Sequence, residues 1–154
     1  MLGERVQMKK NGKILSKGLY YLLSFTWGLP LTLVGGLVAL FLLIKGRRPS
    51  RFGWGLYFEI GKTNWGGFDM GPIFLCERNP SWGTKKHEFG HSIQNCFWGP
   101  LMIFVITIPS VIRYWFRIIQ EKRGKTDLPP YDSIWFEGQA TKIGEEYNAE
   151  IIKG

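Results

Sequence analysis

Two histidines and a glutamate are the residues of this sequence whose types and spacing are suited to chemistry. His87, Glu88 and His91 form the pattern His-Glu-x-x-His, and the chain's only 2 histidines both belong to it. On a helix, residues four apart project from one face about one turn apart, so both imidazoles can reach one metal ion while Glu88 faces a metal-bound water. The pattern predicts a Zn²⁺ site with Glu88 as catalytic base. The alternative is a helix with two surface histidines placed by chance.

Catalytic zinc takes three protein ligands and a water, so a third ligand must come from elsewhere in the chain. A histidine at position 97 would complete the longer metzincin pattern, but that residue is Phe97. Glu137 is the favoured ligand, because small residues share its helix face and would let a second helix approach closely. These small residues are Ala140, Thr141 and Gly144, and the other carboxylates and thiols considered are Asp132, Glu145, Glu146, Cys76 and Cys96. In the alternative interpretation the small residues serve only core packing and Glu137 is solvated.

Further residues are candidates for supporting this site. The candidates for orienting a ligand or donating to the transition state are Gln94, Asn95, Tyr131 and Arg113, with Tyr147 as an additional donor candidate. Gln94 and Asn95 follow His91 by one turn and would either orient a ligand or cap nearby backbone. Gly90 is expected to remove bulk beside the metal, because glycine inside a helix usually has a packing reason. Cys96 is expected to be a small buried apolar residue.

The residues around these positions resemble a known family. His87-Glu88-x-x-His91 followed by Glu137-Gly138-Gln139-Ala140 resembles the gluzincin pattern of membrane zinc metallopeptidases, in which the residue after the alanine is usually Asp rather than Thr141. The longer string is similar to a group of small bacterial membrane proteins, and it adds Trp65-Gly66-Gly67, Gly99-Pro100 and Ile108-Pro109-Ser110. The resemblance implies a zincin-like domain with Glu137 as third ligand, and an edge strand at residues 68–76 that binds substrate backbone.

Aromatic and basic residues indicate a membrane. Aromatic residues make up 16% of the chain and the formal net charge is +8. The basic residues bracket an uncharged run, residues 19–44, which is typical of juxtamembrane charge and not of a nucleic-acid surface. As a helix this run would be about 39 Å long, enough to span a hydrocarbon core of about 30 Å. Pro30 and the pair Gly35-Gly36 leave a kinked helix or a re-entrant hairpin as alternatives.

The remaining patterns predict the other elements. Residues 101–112 are apolar but too short to span, so a segment of about 100–118 is expected to dip into one leaflet; the alternative is a buried core helix. Residues 52–60 and 68–76 predict two strands of a β-hairpin, with Pro72 at an edge or bulge. Helices are predicted at 85–98, after Ser81 or Thr84 as N-cap, and at 134–149, after Asp132 or Ser133. Residues 120–130 are predicted as a surface loop.

These patterns together predict an α+β, membrane-anchored fold in two parts. Residues 1–50 would hold the basic N-terminus and the membrane segment, and residues 51–154 the zincin-like metallopeptidase domain. The expected function is zinc-dependent hydrolysis of peptide bonds near the cytoplasmic surface of a bacterial cell membrane, with a peptide or protein substrate and the lipid bilayer as partners. Two alternatives remain, a non-catalytic membrane adaptor or immunity-type protein with structural zinc, and a site-2-type intramembrane protease. The oligomeric state leaves no signal in the sequence.

Overall fold

The computed structural model describes residues 15–153, which form an α+β fold around a four-stranded mixed sheet. The helices and strands in chain order are α1 (Lys17–Ser24), α2 (Leu29–Ile44), β1 (Ser50–Phe52), β2 (Gly55–Glu59), β3 (Gly67–Met70), β4 (Ile73–Cys76), α3 (Trp82–Trp98), α4 (Ile108–Lys122), α5 (Trp135–Glu146) and α6 (Asn148–Lys153). Short helical turns at Gly99–Leu101 and Ile103–Thr107 join α3 to α4, and another at Tyr131–Ser133 precedes α5. The α+β class is therefore confirmed.

The strands lie in the order β1-β2-β4-β3, with β2 and β4 parallel and the outer pairs antiparallel. The predicted hairpin between residues 52–60 and 68–76 is wrong, because each run contains a chain reversal. Gly53, with φ of +58°, turns β1 into β2, and Gly71, with φ of +77°, turns β3 into β4. Positive φ favours glycine, so both reversals are placed where the backbone tolerates them. The result leaves β3 at an edge of the sheet, in front of the site.

Different helices pack on the two faces of the sheet. Phe68 of β3 lies opposite Leu75 of β4, and Asp69 lies opposite Phe74. Residues directly opposite each other share a face. Phe74 belongs to the core cluster that Phe89 of α3 also joins, whereas Phe68 and Leu75 pack with the other cluster, to which α2 contributes. The face that carries Asp69 is therefore the face of α3.

The uncharged run 19–44 forms two helices and not one straight span. The axes of α1 and α2 are bent by 87°, which matches the bent alternative and contradicts a single straight helix. The break precedes Pro30, which sits in the first turn of α2, where proline is tolerated. Gly35 lies inside α2 and permits close packing on the sheet, since a Cβ there would lie 2.6 Å from the carbonyl oxygen of Met70. Tyr20 of α1 is fully buried in the core beside α3.

The second apolar stretch is longer than predicted. Helical structure is continuous over Ile103–Lys122, 20 residues, so the predicted loop begins only after Lys122. Among the described residues this is the one helix that is long and apolar enough by length and composition to cross a membrane, and α1 with α2 meet that criterion only as a bent pair. One side of this helix exposes large apolar residues, hereafter the apolar stripe: Phe104, Ile108, Ile112, Trp115, Phe116 and Ile119.

The helices that carry the site begin and end differently from prediction. α3 begins at Trp82, and Ser81 is its cap, since its side chain accepts from the backbone N–H of Thr84. α5 begins without a side-chain cap, so neither Asp132 nor Ser133 has the predicted role. The hydroxyl of Ser133 instead accepts a hydrogen bond from Arg113. The final helix also ends early, at Glu146, and α6 follows as a separate element.

Two glycines let α3 and α5 pack closely. A Cβ on Gly90 would lie 1.9 Å from the carbonyl oxygen of Ala140, and one on Gly144 would lie 2.2 Å from that of Lys86. Both approaches are to backbone, which cannot move aside as a flexible side chain does. Gly90 therefore serves the contact between the two helices, and not clearance beside the metal as the sequence suggested.

Replacing Gly90 with alanine should destabilise the fold by about 1–3 kcal/mol, the usual range for overpacking in a close-packed interior. Gly83 provides the matched control, because it also lies in α3 and a Cβ there would only approach Ser81 Oγ at 3.6 Å. Thermal unfolding followed by circular dichroism should show a lower Tm for Gly90→Ala and an unchanged or higher Tm for Gly83→Ala. Equal Tm values for the two variants would contradict the close approach.

Candidate metal centre

Three side chains from two helices converge on one point. His87 and His91 lie one turn apart on α3, and Glu137 lies in the first turn of α5. Glu137 Oε2 is 2.9 Å from His87 Nε2 and 3.0 Å from His91 Nε2, and the two Nε2 atoms are 3.2 Å apart. Among the described residues, these three form the group of histidine, cysteine and carboxylate side chains close enough to share a metal ion.

The tautomer of His91 follows from its neighbours. Gln94 donates from Nε2 to the carbonyl oxygen of Phe136 and to the side-chain oxygen of Gln139. Its Oε1 is therefore the acceptor that faces His91 Nδ1, at 2.7 Å. An acceptor at this position requires a proton on Nδ1, so in the neutral ring the lone pair is on Nε2, the atom that faces Glu137. Gln94 thus has the orienting role that was one of its two predicted roles.

His87 is oriented in the same way by a hydroxyl group. Its Nδ1 lies 3.0 Å from Thr141 Oγ1, one turn beyond Glu137 on α5. Thr141 Oγ1 in turn donates to Asp132 Oδ2 at 3.5 Å. With its own proton directed at Asp132, the hydroxyl accepts from Nδ1–H, and the lone pair of Nε2 faces the other two groups. In many metal sites a carboxylate accepts the hydrogen bond from the second ring nitrogen of a metal-binding histidine. The hydroxyl of Thr141 accepts the equivalent hydrogen bond from His87.

The third group, Glu137, is held by a residue of α4. Ser110 Oγ donates to Glu137 Oε1 at 2.5 Å, which leaves Oε2 for the two histidines. The hydroxyl of Tyr131 lies 3.2 Å from Ser110 Oγ. Burial and the charge of Glu137 raise the pKa of Tyr131 to about 12, so its phenol stays protonated at neutral pH. Each of the three converging groups therefore has a separate hydrogen-bond partner that fixes its orientation.

The distances and donor types fit zinc. In a tetrahedral site with zinc–ligand bonds of about 2.0–2.1 Å, two ligand atoms lie about 3.3 Å apart. The observed separations of 2.9, 3.0 and 3.2 Å are close to that value. Two imidazole nitrogens and one carboxylate oxygen are also a ligand set that zinc enzymes use. His87, His91 and Glu137 would hold the ion.

The electrostatics of the site favour positive charge at the point of convergence. Burial disfavours the carboxylate of Glu137, but hydrogen bonds from His87 and His91 outweigh burial and lower its pKa. Burial likewise disfavours the charged form of His91, yet the hydrogen bond to Glu137 raises its pKa to about 9. Without an ion this ring therefore carries a proton on Nε2, which a cation bound at the same point would replace. Burial raises the pKa of Glu88. Carboxylates thus surround the point at which the two imidazoles meet.

The site opens into a cleft of about 510 Å³, hereafter the metal cleft. Residues 64–69, which include most of β3, form one wall, α4 forms the opposite wall, and α3 and α5 form the floor. Glu88 lies on the floor beside Gly67, where a Cβ would come within 2.5 Å of the Glu88 side chain. The side chain of Glu88 thus occupies the space at the edge of β3 that a side chain on residue 67 would fill.

Three predicted residues lie away from the centre. Asn95 donates to the carbonyl oxygen of Gly28 at the bend between α1 and α2, so it orients none of the three groups. Arg113 donates to Ser133 and to the carbonyl oxygens of Pro130 and Tyr131, outside the metal cleft. The hydroxyl of Tyr147 accepts from the backbone N–H of residue 15 in the core. The other third-ligand candidates, Asp132, Glu145, Glu146, Cys76 and Cys96, are not part of the converging group.

Sequence reasoning missed Ser110, Asp69 and the role of Thr141. Thr141 lies four residues after Glu137, a spacing that places both on one helix face and could have identified it. No comparable signal marks Ser110, whose contact with Glu137 joins α4 to α5. Asp69 lines the metal cleft, burial raises its pKa, and its Oδ1 has no hydrogen-bond partner within residues 15–153.

Replacing Thr141 with valine should weaken zinc binding about 10- to 100-fold, the usual effect of removing the partner of a metal-binding histidine. Valine keeps the shape of threonine but leaves His87 Nδ1–H without an acceptor. Thr141→Ser keeps the hydroxyl and should bind zinc within a few-fold of the wild type. Zinc affinity measured by competition with a chromophoric chelator would show the difference, and equal affinities for the valine and serine variants would contradict the role.

Comparison with known proteins leaves the site to be interpreted from its own geometry. No family model, curated protein or solved structure matches the chain.

Proposed function

We propose that the chain is a membrane-bound, zinc-dependent metallopeptidase of the gluzincin type. The observation that carries the proposal is the convergence of His87, His91 and Glu137, whose facing atoms lie within 3.2 Å of one another, with both Nε2 atoms directed at the carboxylate. Three groups of this kind lie so close together only with protons or a cation between them, and a metal ion that binds there displaces the protons. The open metal cleft beside them leaves room for water and substrate.

Peptide hydrolysis requires a base, a charge-stabilising donor and an activated water. A zinc ion held by His87, His91 and Glu137 would supply a Lewis acid and would lower the pKa of a bound water toward 7. Glu88 accepts the proton from the attacking water and delivers it to the leaving nitrogen as the C–N bond breaks. Tyr131 is the donor candidate that the geometry favours, because its hydroxyl contacts Ser110 beside Glu137 and it lines the metal cleft. It would donate to the carbonyl oxygen as negative charge develops there.

The edge strand β3 offers a place for the substrate backbone. Glu77 N–H donates to the carbonyl oxygen of Gly66, so this pair is hydrogen-bonded in the antiparallel ladder. Because hydrogen-bonded and non-hydrogen-bonded pairs alternate, the backbone groups of Gly67 and Asp69 point away from β4. They face the metal cleft, whose lining includes both residues. An extended peptide that pairs with this edge would lie beside Glu88.

Exposed apolar surface supports a position at the membrane. The apolar stripe runs along the 20-residue helix Ile103–Lys122, and α2 exposes further large apolar side chains. Contiguous apolar surface of this kind marks a protein or membrane contact. Arg47, Arg48 and Arg51 lie between α2 and β2, so the sheet is on the same side of the membrane as this basic cluster. Basic flanks favour the cytoplasmic side, where we place the metal cleft.

The site-2-type alternative is disfavoured by the third ligand. That class takes an aspartate from a later membrane helix, whereas the carboxylate that meets the two histidines here is Glu137 of α5. The adaptor with structural zinc shares the same three ligands, and it differs from the peptidase in having no need of Glu88.

Zinc content and hydrolysis measured on one preparation test the proposal. The full chain, purified in phospholipid nanodiscs, should contain about one zinc per chain and cleave a disordered protein such as casein. A chelator should remove both the metal and the activity, and added zinc should restore both. A preparation with one zinc per chain and no activity above that of empty nanodiscs would refute the peptidase.

A further inference from the structure

A second cavity of about 290 Å³, hereafter the apolar pocket, adjoins the metal cleft. Its apolar and aromatic lining includes Trp65, Phe68, Leu75, Val111, Tyr114 and Trp115. Several of its residues, among them Phe68, Tyr114 and Tyr131, also line the metal cleft, so the two cavities share part of their lining. The volume exceeds what an aromatic side chain occupies.

The apolar pocket lies beside Phe68 and Leu75 of the sheet, and Ser110 and Tyr131 separate it from Glu137. Phe68 shares its face with Leu75, which also lines the apolar pocket, whereas Gly67 and Asp69 belong to the face of α3. Successive side chains of an extended strand point to opposite faces. A peptide paired with the edge of β3 would continue this alternation. Its residue beside Phe68 would therefore direct its side chain to the apolar pocket, while the residues on either side would face the metal.

We propose that the apolar pocket binds a large apolar side chain, aromatic or aliphatic, of the peptide substrate, at the residue that lies beside Phe68 and next to the cleaved bond. This inference rests on the proposed peptidase function and adds a substrate class to it. The register of β3 and the residues that line both cavities support the choice of occupant.

The lining excludes charged side chains from the same position. Among the described residues, those that line the apolar pocket carry no Asp, Glu, Lys or Arg. A charged substrate side chain would lose its water there without gaining a partner of opposite charge, which is unfavourable. Burial of a large apolar side chain is favourable, so the two classes should differ by about tenfold or more in binding.

Two matched peptides test the proposal. Both are quenched-fluorescent Ala/Ser-rich peptides with the same sequence, one with a single Phe and the other with Asp at that position. In nanodiscs, the wild-type full chain should cleave the Phe peptide with a kcat/KM about tenfold or more above that of the Asp peptide. Mass spectrometry should place the cut at one fixed distance from the Phe.

Variants of two neighbouring residues on α4 test whether the preference for Phe over Asp comes from the apolar pocket. Val111 lines the apolar pocket, whereas Ile112 does not and is 63% exposed on the apolar stripe. Val111→Trp should leave too little room in the pocket for a substrate side chain and bring the Phe-to-Asp ratio to within about twofold, and Ile112→Trp should keep the wild-type ratio. Cleavage of both peptides at equal rates, or an unchanged ratio in Val111→Trp, would overturn the inference and leave the peptidase standing.

A binding measurement separates failure of this inference from failure of the proposed function. Fluorescence anisotropy of the same labelled peptides on zinc-loaded Glu88→Gln protein reports occupancy without turnover. If the wild type cleaves neither peptide but the Phe peptide binds about tenfold more tightly, with loss of that difference in Val111→Trp, the pocket stands and the peptidase falls. Equal binding of the two peptides would overturn the pocket. The pocket would also be overturned if the anisotropy of neither labelled peptide fell when an unlabelled Phe peptide is added.

Discussion

Replacing Glu88 with glutamine should reduce peptide hydrolysis by about 10²- to 10⁴-fold, the range that a positioned general base contributes. Glutamine has nearly the same shape, but its amide cannot accept the proton of the attacking water. The zinc content should not change, because Glu88 is not among the three converging groups. Parallel measurements of zinc per chain and kcat/KM on one preparation would show activity lost with the metal retained.

Glu121→Gln is the control for this change. Glu121 also lines the metal cleft, but it lies on α4, is mostly exposed and pairs with Arg117 at 4.0 Å. Removal of its charge should leave hydrolysis within about twofold, because an exposed pair of this kind contributes little. If instead Glu88→Gln retained the full cellular function of the chain, the adaptor with structural zinc would be the better interpretation.

Glu137→Gln is expected to remove the metal and not only the activity. Glu137 is fully buried, and one of its carboxylate oxygens faces both histidines. A neutral amide cannot balance the charge of the cation, so zinc affinity should fall more than about 100-fold, beyond the effect of losing an outer hydrogen-bond partner. Hydrolysis at limiting zinc should fall in proportion to the bound metal.

The matched variant is Glu145→Gln, on the same helix. Glu145 is 64% exposed and lies 3.9 Å from Lys86, away from the two histidines. Its zinc affinity should equal that of the wild type. Elemental analysis after gel filtration would compare the two, with circular dichroism to show that both are folded. Zinc retained at one equivalent in folded Glu137→Gln would exclude Glu137 as third ligand.

The local part of the site is readable from the sequence because it depends on one helix. His87 and His91 are four residues apart, and the geometry of α3 alone places their imidazoles together. Glu137 was found through the small residues after it, and the structure shows the physical basis, since Gly90 on α3 meets the backbone of Ala140. A close approach of two helices leaves a sequence signal because only small residues permit it.

The strand prediction was wrong because an alternation of apolar and other residues does not show where the chain reverses. In the sequence of residues 52–60, apolar residues alternate with Gly, Tyr and Glu, but Gly53 turns the chain inside this run and Gly71 turns it inside residues 68–76. The parallel pairing of β2 with β4 then depends on which strands meet across the sheet, and this is a property of the whole fold. Contacts made by α4 are of the same kind, so Ser110 could not be assigned to Glu137 before the helices were placed.

The helix Ile103–Lys122 has different surroundings on its two sides. Ser110 and Tyr114 line the metal cleft, while Ile112 and Trp115 belong to the apolar stripe. Because Ser110 and Ile112 lie within one turn of the same helix, a rotation imposed on its outer side would also shift the hydroxyl of Ser110 relative to Glu137. Where that outer side meets lipid, acyl-chain length and lateral pressure would set the rotation, and catalytic rate would follow membrane thickness.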